Sequence, residues 1–269
     1  MTLSLGFSPC PNDTFIFDAM LNGKIDTYGI SFKVLMEDVE TLNQRAMRTE
    51  LDMTKLSYAA FTYCTENYKL LQSGSALGSG VGPLVISKKE NLNITDSSIV
   101  AIPGKFTTAH FLFGRKYSFV KNKIEMPFNA IEDAVLTGLV DAGVIIHENR
   151  FTYQLKGLHK VIDLGEFWET TTQLPIPLGG IVIKKSLPEK IQQQLEKIMF
   201  ESVAFAFAHP ESSKKFVAQY AQEMSPAVMQ QHIDLYVNDY TKNLGEKGNE
   251  AVNYFSSIKM TSNGSMQSK

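Results

Sequence analysis

The sequence lacks the features that mark metal, membrane and nucleic-acid-binding proteins. Its two cysteines, Cys10 and Cys64, do not stand at metal-ligand spacing, so we expect reduced thiols and no zinc site. No apolar run reaches the roughly 18 residues of a membrane span, and no basic segment precedes a signal-like apolar stretch. Basic and acidic residues number 26 and 28 and are intermixed, so no basic surface for nucleic acid is expected. These absences favour a cytoplasmic protein.

Common catalytic motifs and repeats are missing too. The chain has no GxxxxGK[ST] phosphate loop and no GxSxG nucleophile elbow. It shows neither solenoid-type repeats nor low-complexity tracts. Its 269 residues suffice for one large domain or two smaller ones.

What the chain has instead is an alternation of strand and helix patterns. Hydrophobic periodicity predicts strands at 3–7, 30–35, 51–56, 83–87, 98–102, 143–146 and 181–184. It predicts helices at 15–21, 38–48, from 57, from 109, across 131–139, and at 191–209, 211–221, 226–237 and 246–258. Residues 174–180 are predicted as a stiff, proline-marked crossing, and 262–269 as a frayed end.

This order predicts an α/β protein of two lobes around a central cleft. The larger lobe would combine residues 1–88 and 178–269, and the smaller would hold residues 89–177. Two crossings between lobes make a hinge, and such domain interfaces are favoured sites for small molecules.

One histidine stands out against this background. His147 is the first polar residue after the buried strand predicted at 143–146. Ligands of open α/β sheets bind at the carboxyl ends of strands, and an imidazole can transfer protons near neutral pH. A histidine that only closes a strand end by a hydrogen bond is the alternative.

Three loops could line the same cleft. Residues 8–14 and 103–109 each lead from a strand into a helix, whose N-terminal amides favour anionic groups. The alternative is that these residues only cap a helix. The cap would then be Asp13 or Thr14 in the first loop and Thr107 or Thr108 in the second. In the third, 54–58, Lys55 is either solvated or a partner for a carboxylate.

Several other residues admit two interpretations. Cys10 is either a reactive thiol at a helix start or a buried structural one, and Trp168 is either core or an aromatic wall. His110 either faces the cleft or packs, whereas His209 and His232 are predicted at the surface or at helix caps. The glycine-rich segment 74–82 is either a close approach of backbone or a flexible connector.

Taken together, several segments closely resemble the 1,4-dihydroxy-6-naphthoate synthase family of the futalosine route to menaquinone. They cover nearly the whole chain in order: 6–17, 37–43, 54–60, 78–84, 103–104, 107–109, 145–153 and 174–179. Lys105 supplies the basic residue usual after the Pro-Gly turn of that family.

The resemblance implies a periplasmic-binding-protein-like (type II) fold used for catalysis inside the cell. It implies a carbon–carbon lyase that converts cyclic dehypoxanthine futalosine to 1,4-dihydroxy-6-naphthoate and dihydroxyacetone without metal or organic cofactor. His147 would be the proton acceptor, and the oligomeric state stays open. The expected substrate-binding residues are Asn12, Asn43, Thr54, Lys55, Leu56, Ser57, Thr107, Thr108 and Ala109.

Two other functions fit a cleft of this kind. A solute-binding protein would be expected to have an export signal, and a ligand-sensing domain would be expected to be fused to a DNA-binding helix-turn-helix; the sequence shows neither.

Overall fold

The computed structural model describes residues 1–221, 225–260 and 266–267. The strands are β1 (Thr2–Phe7), β2 (Ser31–Met36), β3 (Met53–Ser57), β4 (Tyr68–Leu70), β5 (Ala76–Gly78), β6 (Leu84–Ser87), β7 (Val100–Ile102), β8 (Lys123–Glu125), β9 (Ala142–Ile145), β10 (His159–Asp163), β11 (Ile176–Lys184), β12 (Lys259–Met260) and β13 (Met266–Gln267). The helices are α1 (Pro11–Leu21), α2 (Val39–Met47), α3 (Tyr58–Cys64), α4 (Thr108–Lys116), α5 (Ile131–Leu136), α6 (Asn149–Thr152), α7 (Leu164–Thr172), α8 (Glu189–Ala208), α9 (Lys214–Tyr220), α10 (Pro226–Tyr236), α11 (Asp239–Lys242) and α12 (Gly245–Ser257).

Two mixed sheets form the two lobes. The first has the order β2-β1-β3-β11-β4, with β5 also paired to β11, and the second has the order β10-β6-β9-β7-β8. In the first, β1 runs parallel to β2 and β3, while β11 is antiparallel to β3. In the second, β7 runs parallel to β8 and β9. The chain passes from the first sheet to the second after β5 and returns with β11, so the predicted two-lobed α/β architecture is confirmed. The lobe boundaries at 88/89 and 177/178 stay a prediction.

An aromatic cluster joins the C-terminal helix to the middle of the chain. Phe255 of α12 lies 4.3 Å from Phe111 of α4 and 5.4 Å from Trp168 of α7, measured between ring centroids. Trp168 is fully buried, and its indole N–H donates to the Pro175 carbonyl at 3.3 Å. Trp168 is therefore a core residue and not a wall of the cleft.

The first helix begins earlier than predicted. It starts at Pro11 and not at Phe15, with Cys10 at the N-cap. Proline suits the first helical position because its fixed φ matches the helix and its missing N–H has no partner there anyway. Asp13 and Thr14, predicted as alternative N-caps, consequently lie inside the first turn. The Asp13 carboxylate does not cap the helix and pairs with Lys55 instead.

Residues 174–180 were predicted as a crossing, but most of them belong to β11. The strand runs from Ile176 to Lys184, and its pairing with β5 is irregular between Pro177 and Gly179. Proline is tolerated at such an irregularity because no ladder hydrogen bond depends on its missing N–H. The extended backbone that proline prefers thus prolongs the strand.

The glycine-rich segment 74–82 includes a close approach of two backbones. A Cβ on Gly82 would stand 2.2 Å from the Gly165 backbone, at the start of α7. Glycine is required at position 82 because the segment that leaves the first sheet packs directly against the backbone of the second lobe and leaves no space for a side chain.

Three further findings concern the rest of the chain. None of the helices in the described ranges has the length and apolar character needed to cross a bilayer. The same ranges contain no cluster of three or more His, Cys, Asp or Glu side chains that could hold a metal ion. Of the predicted frayed end 262–269, all but 266–267 lies outside the described residues.

Candidate functional site

A cavity of about 100 Å³ lies between the two sheets, close to the ends of their strands. The first lobe contributes the end of β3, part of β11 and the start of α1, and the second contributes the start of α4 and the residues after β9. Eight of the ten predicted site residues line it: Asn12, Lys55, Leu56, Ser57, Thr107, Thr108, Ala109 and His147.

His147 follows β9 by two residues and is half-buried against the cavity. Its backbone has φ +59°, a left-handed conformation that is uncommon for a non-glycine residue and recurs at functional sites. Burial lowers the pKa of His147 below its ordinary value, and the carboxylates of Glu148 and Asp13 offset part of that effect. The imidazole is therefore neutral at the pH of a cell and can accept a proton.

One ring nitrogen of His147 has a protein partner. Nδ1 lies 3.4 Å from Sγ of Cys10, the N-cap residue of α1 in the other lobe. Burial raises the pKa of the Cys10 thiol, so the sulfur is a neutral thiol. Arg150, a sequence neighbour, donates instead to the Gly82 carbonyl and, at 3.0 Å, to Asp163. Cys10 thus contacts Nδ1 of His147, while the ring of Phe128 packs against the imidazole with centroids 5.0 Å apart.

Lys55 is buried and paired, contrary to the solvated lysine that a strand-end position favours. Its ammonium lies 3.0 Å from Asp13 Oδ1, and both side chains are buried. Asp13 also accepts from the Ser8 hydroxyl at 2.8 Å and the Asn12 amide at 2.9 Å. Lys55 also donates to the Gly74 carbonyl at 3.3 Å, so both members of this desolvated charge pair have further hydrogen bonds, which lower the cost of burying charge.

Asn43 acts from behind the cavity wall. Its carbonyl accepts from the Ser57 backbone N–H at 2.8 Å, and its amide donates to the Ser57 hydroxyl at 3.1 Å. Asn43 itself does not border the cavity, but it leaves the Ser57 O–H free to donate into it. Thr54 does not border the cavity either; its hydroxyl donates to the Lys55 carbonyl.

The start of α4 supplies backbone donors. Thr107 is its N-cap and accepts from the His110 N–H at 3.2 Å, and the Thr108 hydroxyl donates to the Leu178 carbonyl at 2.9 Å across the lobes. The two threonine hydroxyls are therefore engaged, whereas the first amides of α4 have no intrahelical acceptor. The start of α1 borders the same cavity, so two helix N-termini favour an anionic group there.

Glu40 connects the lobes at the rim. Its Oε2 accepts from the Phe106 N–H at 3.1 Å, in the loop before α4. A Cβ on Gly104 would stand 2.5 Å from the same carboxylate oxygen, so only glycine allows this approach. Burial raises the pKa of Glu40 to about 7, against the opposing effect of the donors Asn43, Phe106 and Gln44.

Three other histidines differ in burial and in their position relative to the cavity. His209 is exposed at the C-cap of α8, as predicted. His110 packs, with Nδ1 2.8 Å from the Lys105 carbonyl, and does not border the cavity. His232 was predicted at the surface or at a cap, and this is wrong: it is fully buried and borders the cavity.

The sequence did contain a signal for His232. It lies on α10 in the stripe formed by Met229, Ile233 and Tyr236, at the i, i+3, i+4, i+7 spacing of a buried helix face. A histidine within such a stripe is predicted to be buried, not solvated. Asp13, also missed as a site residue, had no such signal because its partner Lys55 is distant in sequence.

Sequence comparison places the chain among proteins of quinone biosynthesis. A family model described as menaquinone biosynthesis matches residues 3–260. A protein of Thermus thermophilus named 1,4-dihydroxy-6-naphthoate synthase is 44% identical over 250 residues, covering 93% of this chain and 91% of that protein. A protein of Streptomyces coelicolor with the same name is 44% identical over 257 residues, covering 93% and 90%.

Solved structures agree in fold. A crystal structure from Archaeoglobus fulgidus, 34% identical, superposes with a TM-score of 0.88 and covers 95% of this chain and 96% of that one. The alkanesulfonate-binding protein of Xanthomonas axonopodis bound to MOPS, 14% identical, gives a TM-score of 0.65 over 87% and 84%. The periplasmic-binding-protein-like fold predicted from the resemblance is confirmed. The match over residues 3–260, with relatives 44% identical, shows that the chain belongs to the menaquinone biosynthesis family.

Proposed function

We propose that the protein is a carbon–carbon lyase that converts cyclic dehypoxanthine futalosine to 1,4-dihydroxy-6-naphthoate and dihydroxyacetone. The names of the two 44%-identical relatives support the naphthoate product. The substrate, the second product and the role of each residue belong to the proposal, as does the use of no metal or organic cofactor. The free thiols Cys10 and Cys64 agree with the proposed cytoplasmic location.

One observation supports this reaction most strongly: a neutral, half-buried imidazole borders a cavity between two lobes. His147 would remove a proton at the spiro-cyclic junction of the sugar-derived part and the ring system. Loss of that proton begins carbon–carbon cleavage, and formation of the aromatic naphthalene makes the reaction favourable. Because burial lowers its pKa, His147 is unprotonated and ready to accept the proton.

The other cavity residues hold the substrate's oxygens in this proposal. The Ser57 hydroxyl, fixed by Asn43, the Asn12 N–H at the start of α1 and the first amides of α4 would bind the carboxylate or the sugar oxygens. Preorganised donors of this kind also stabilise negative charge that develops on oxygen during the reaction. Enclosure between two lobes keeps water away from the reacting atoms.

The direct test is conversion of the substrate by wild-type protein and by His147→Asn, followed through the naphthoate absorbance. Removing a general base costs roughly 10²–10⁴-fold. His147→Asn should therefore lose that much in kcat while still binding the substrate. His209→Asn, at the exposed C-cap of α8, is the matched control and should keep wild-type activity.

Two outcomes would reject the proposal. Near-normal kcat in His147→Asn would remove the proposed base. Binding of the substrate by wild-type protein without any naphthoate would leave a binding protein, which is the function of several structural relatives with the same fold.

A further inference from the structure

His232 is the most unusual buried polar side chain next to the cavity. It is fully buried on α10, and neither Nδ1 nor Nε2 has a hydrogen-bond partner among the described residues. Buried polar side chains nearly always have at least one partner, so a ring with two unpaired nitrogens requires an explanation. Because His232 borders the cavity, a bound ligand can supply the missing partner.

Two aromatic rings pack against His232. Its ring lies 4.7 Å from Tyr236 and 6.4 Å from Phe151, measured between centroids. The charged or titratable groups that influence it are His147 and Lys55, and both disfavour a second positive charge. Burial and these two groups hold the pKa of His232 well below its ordinary value. The ring is therefore neutral, with one nitrogen that donates and one that accepts.

The position relative to His147 is equally specific. The two imidazoles are nearly parallel, at 21°, and their centroids are 6.3 Å apart. Imidazole nitrogens form hydrogen bonds in the plane of the ring, at about 2.6–3.2 Å between heavy atoms, so a ligand in the cavity beside the two rings can contact a nitrogen of each. The two histidines approach from different lobes, since His147 follows β9 and His232 lies on a helix that packs on α1 and β5.

We propose that His232 is a second histidine of the active site, which hydrogen-bonds an oxygen of the sugar-derived part of the substrate next to the proton that His147 removes. This inference rests on the proposed function. The neutral ring donates its N–H to a carbonyl or hydroxyl oxygen and steadies the negative charge that develops there. Because the two histidines come from different lobes, both would contact the same ligand when the lobes close on the substrate.

The test compares His232→Phe with His232→Gln. Phenylalanine keeps an aromatic ring in the apolar pocket but forms no hydrogen bond, and glutamine restores a donor and an acceptor. His232→Phe should keep or raise the melting temperature, because the two unpaired nitrogens disappear, yet lose roughly 10–100-fold in kcat/KM. His232→Gln should recover part of that loss. Ile233→Val, the next residue of α10 and not on the cavity, controls for altered helix packing and should stay close to wild type.

A spectroscopic readout tests the contact itself. Histidine-labelled His147→Asn protein, which should bind the substrate and convert it only slowly, should show a ¹⁵N shift of one ring signal on addition of cyclic dehypoxanthine futalosine. That signal should be missing in the double variant with His232→Phe.

The outcomes separate the inference from the function on which it rests. If wild-type protein makes no naphthoate, the proposed function fails. If wild-type protein is active and His232→Phe has the same kcat/KM, or the ¹⁵N signal does not respond, His232 is only a packing residue and the inference is wrong.

Discussion

The two sides of the cavity differ in how many hydrogen-bond partners their polar side chains have. On one side, Asp13 accepts from Ser8, Asn12 and Lys55, and Ser57 is held by Asn43. On the other side, His147 has one weak sulfur contact and His232 has no partner among the described residues. Apart from the free Ser57 O–H, the side chains of the first side have their partners without a ligand, and we call it the complete side; the two histidines form the incomplete side.

This difference distinguishes the side chains that shape the cavity from those that are available to act on a substrate. Groups that already have partners must break hydrogen bonds before they contact a substrate, so they shape the cavity and fix its donors. Groups without partners gain a bond when the substrate arrives, and a neutral imidazole can also accept a proton. We therefore expect substitutions on the complete side to reduce stability first, and those on the incomplete side to reduce activity first.

The largest effect on stability is expected from Asp13→Asn. The change keeps the shape of the side chain but leaves the buried Lys55 ammonium without its counter-charge. Breaking a buried pair by removing one partner costs about 3–5 kcal/mol. Urea unfolding monitored by circular dichroism measures this loss.

A second variant shows whether charge is the cause. In Asp13→Asn combined with Lys55→Met, no unpaired charge is left, so most of the lost stability should return. A double variant as unstable as Asp13→Asn alone would mean that the shape of this wall matters, and not the pairing of its charges.

A smaller, pH-dependent effect on stability is expected at Glu40. This residue belongs to the complete side, because its carboxylate accepts a hydrogen bond from Phe106 of the other lobe. Its pKa in the folded protein is about 7, above the ordinary 4.5, because burial disfavours the carboxylate. A carboxyl whose pKa is raised by folding destabilises the protein as pH rises from 4.5 to 7, and the cost is constant above that. The full shift corresponds to roughly 3 kcal/mol as an upper bound.

Glu40→Gln removes this titration and keeps an acceptor for the Phe106 N–H. Relative to wild type, the variant should become more stable between pH 5 and 8, and the two should converge near pH 4.5. The histidines titrate in both proteins, so the difference between two urea-unfolding series isolates Glu40. A difference independent of pH would show that Glu40 has an ordinary pKa.

The same contrast explains what could be predicted from the sequence. The sequence predicts His147 near the cavity because a strand end is a local pattern, and it predicts the segments of β3 and α4 there for the same reason. The role of Asp13 depends on Lys55, 42 positions away, and a helix start offers an acidic residue a simpler local role as a cap. Contacts across lobes, such as that of Glu40 with Phe106, leave no local pattern at all.

His232 shows a different limit. Its helix was predicted, and the stripe of α10 indicates which face is buried, but not what that face meets. Periodicity is a local property of the sequence, whereas the cavity is formed by elements from all three thirds of the chain. For the same reason the extension of β11 was missed, since its pairing with β5 is nonlocal.

The smallest effect is expected from Cys10→Ala, which removes the hydrogen-bond partner that the described residues give the His147 ring nitrogen Nδ1. For Nε2 to accept a proton, Nδ1 must bear hydrogen, and it would donate that hydrogen to the sulfur. Sulfur is a weak acceptor, so its loss should lower kcat by less than about 10-fold without changing the substrate affinity. Cys10→Ser, with a stronger oxygen acceptor, should retain or raise kcat relative to Cys10→Ala. Steady-state kinetics of the three proteins decides the matter: a loss as large as that of His147→Asn would place Cys10 itself among the reacting groups, and the division between a complete and an incomplete side would then have to include the thiol.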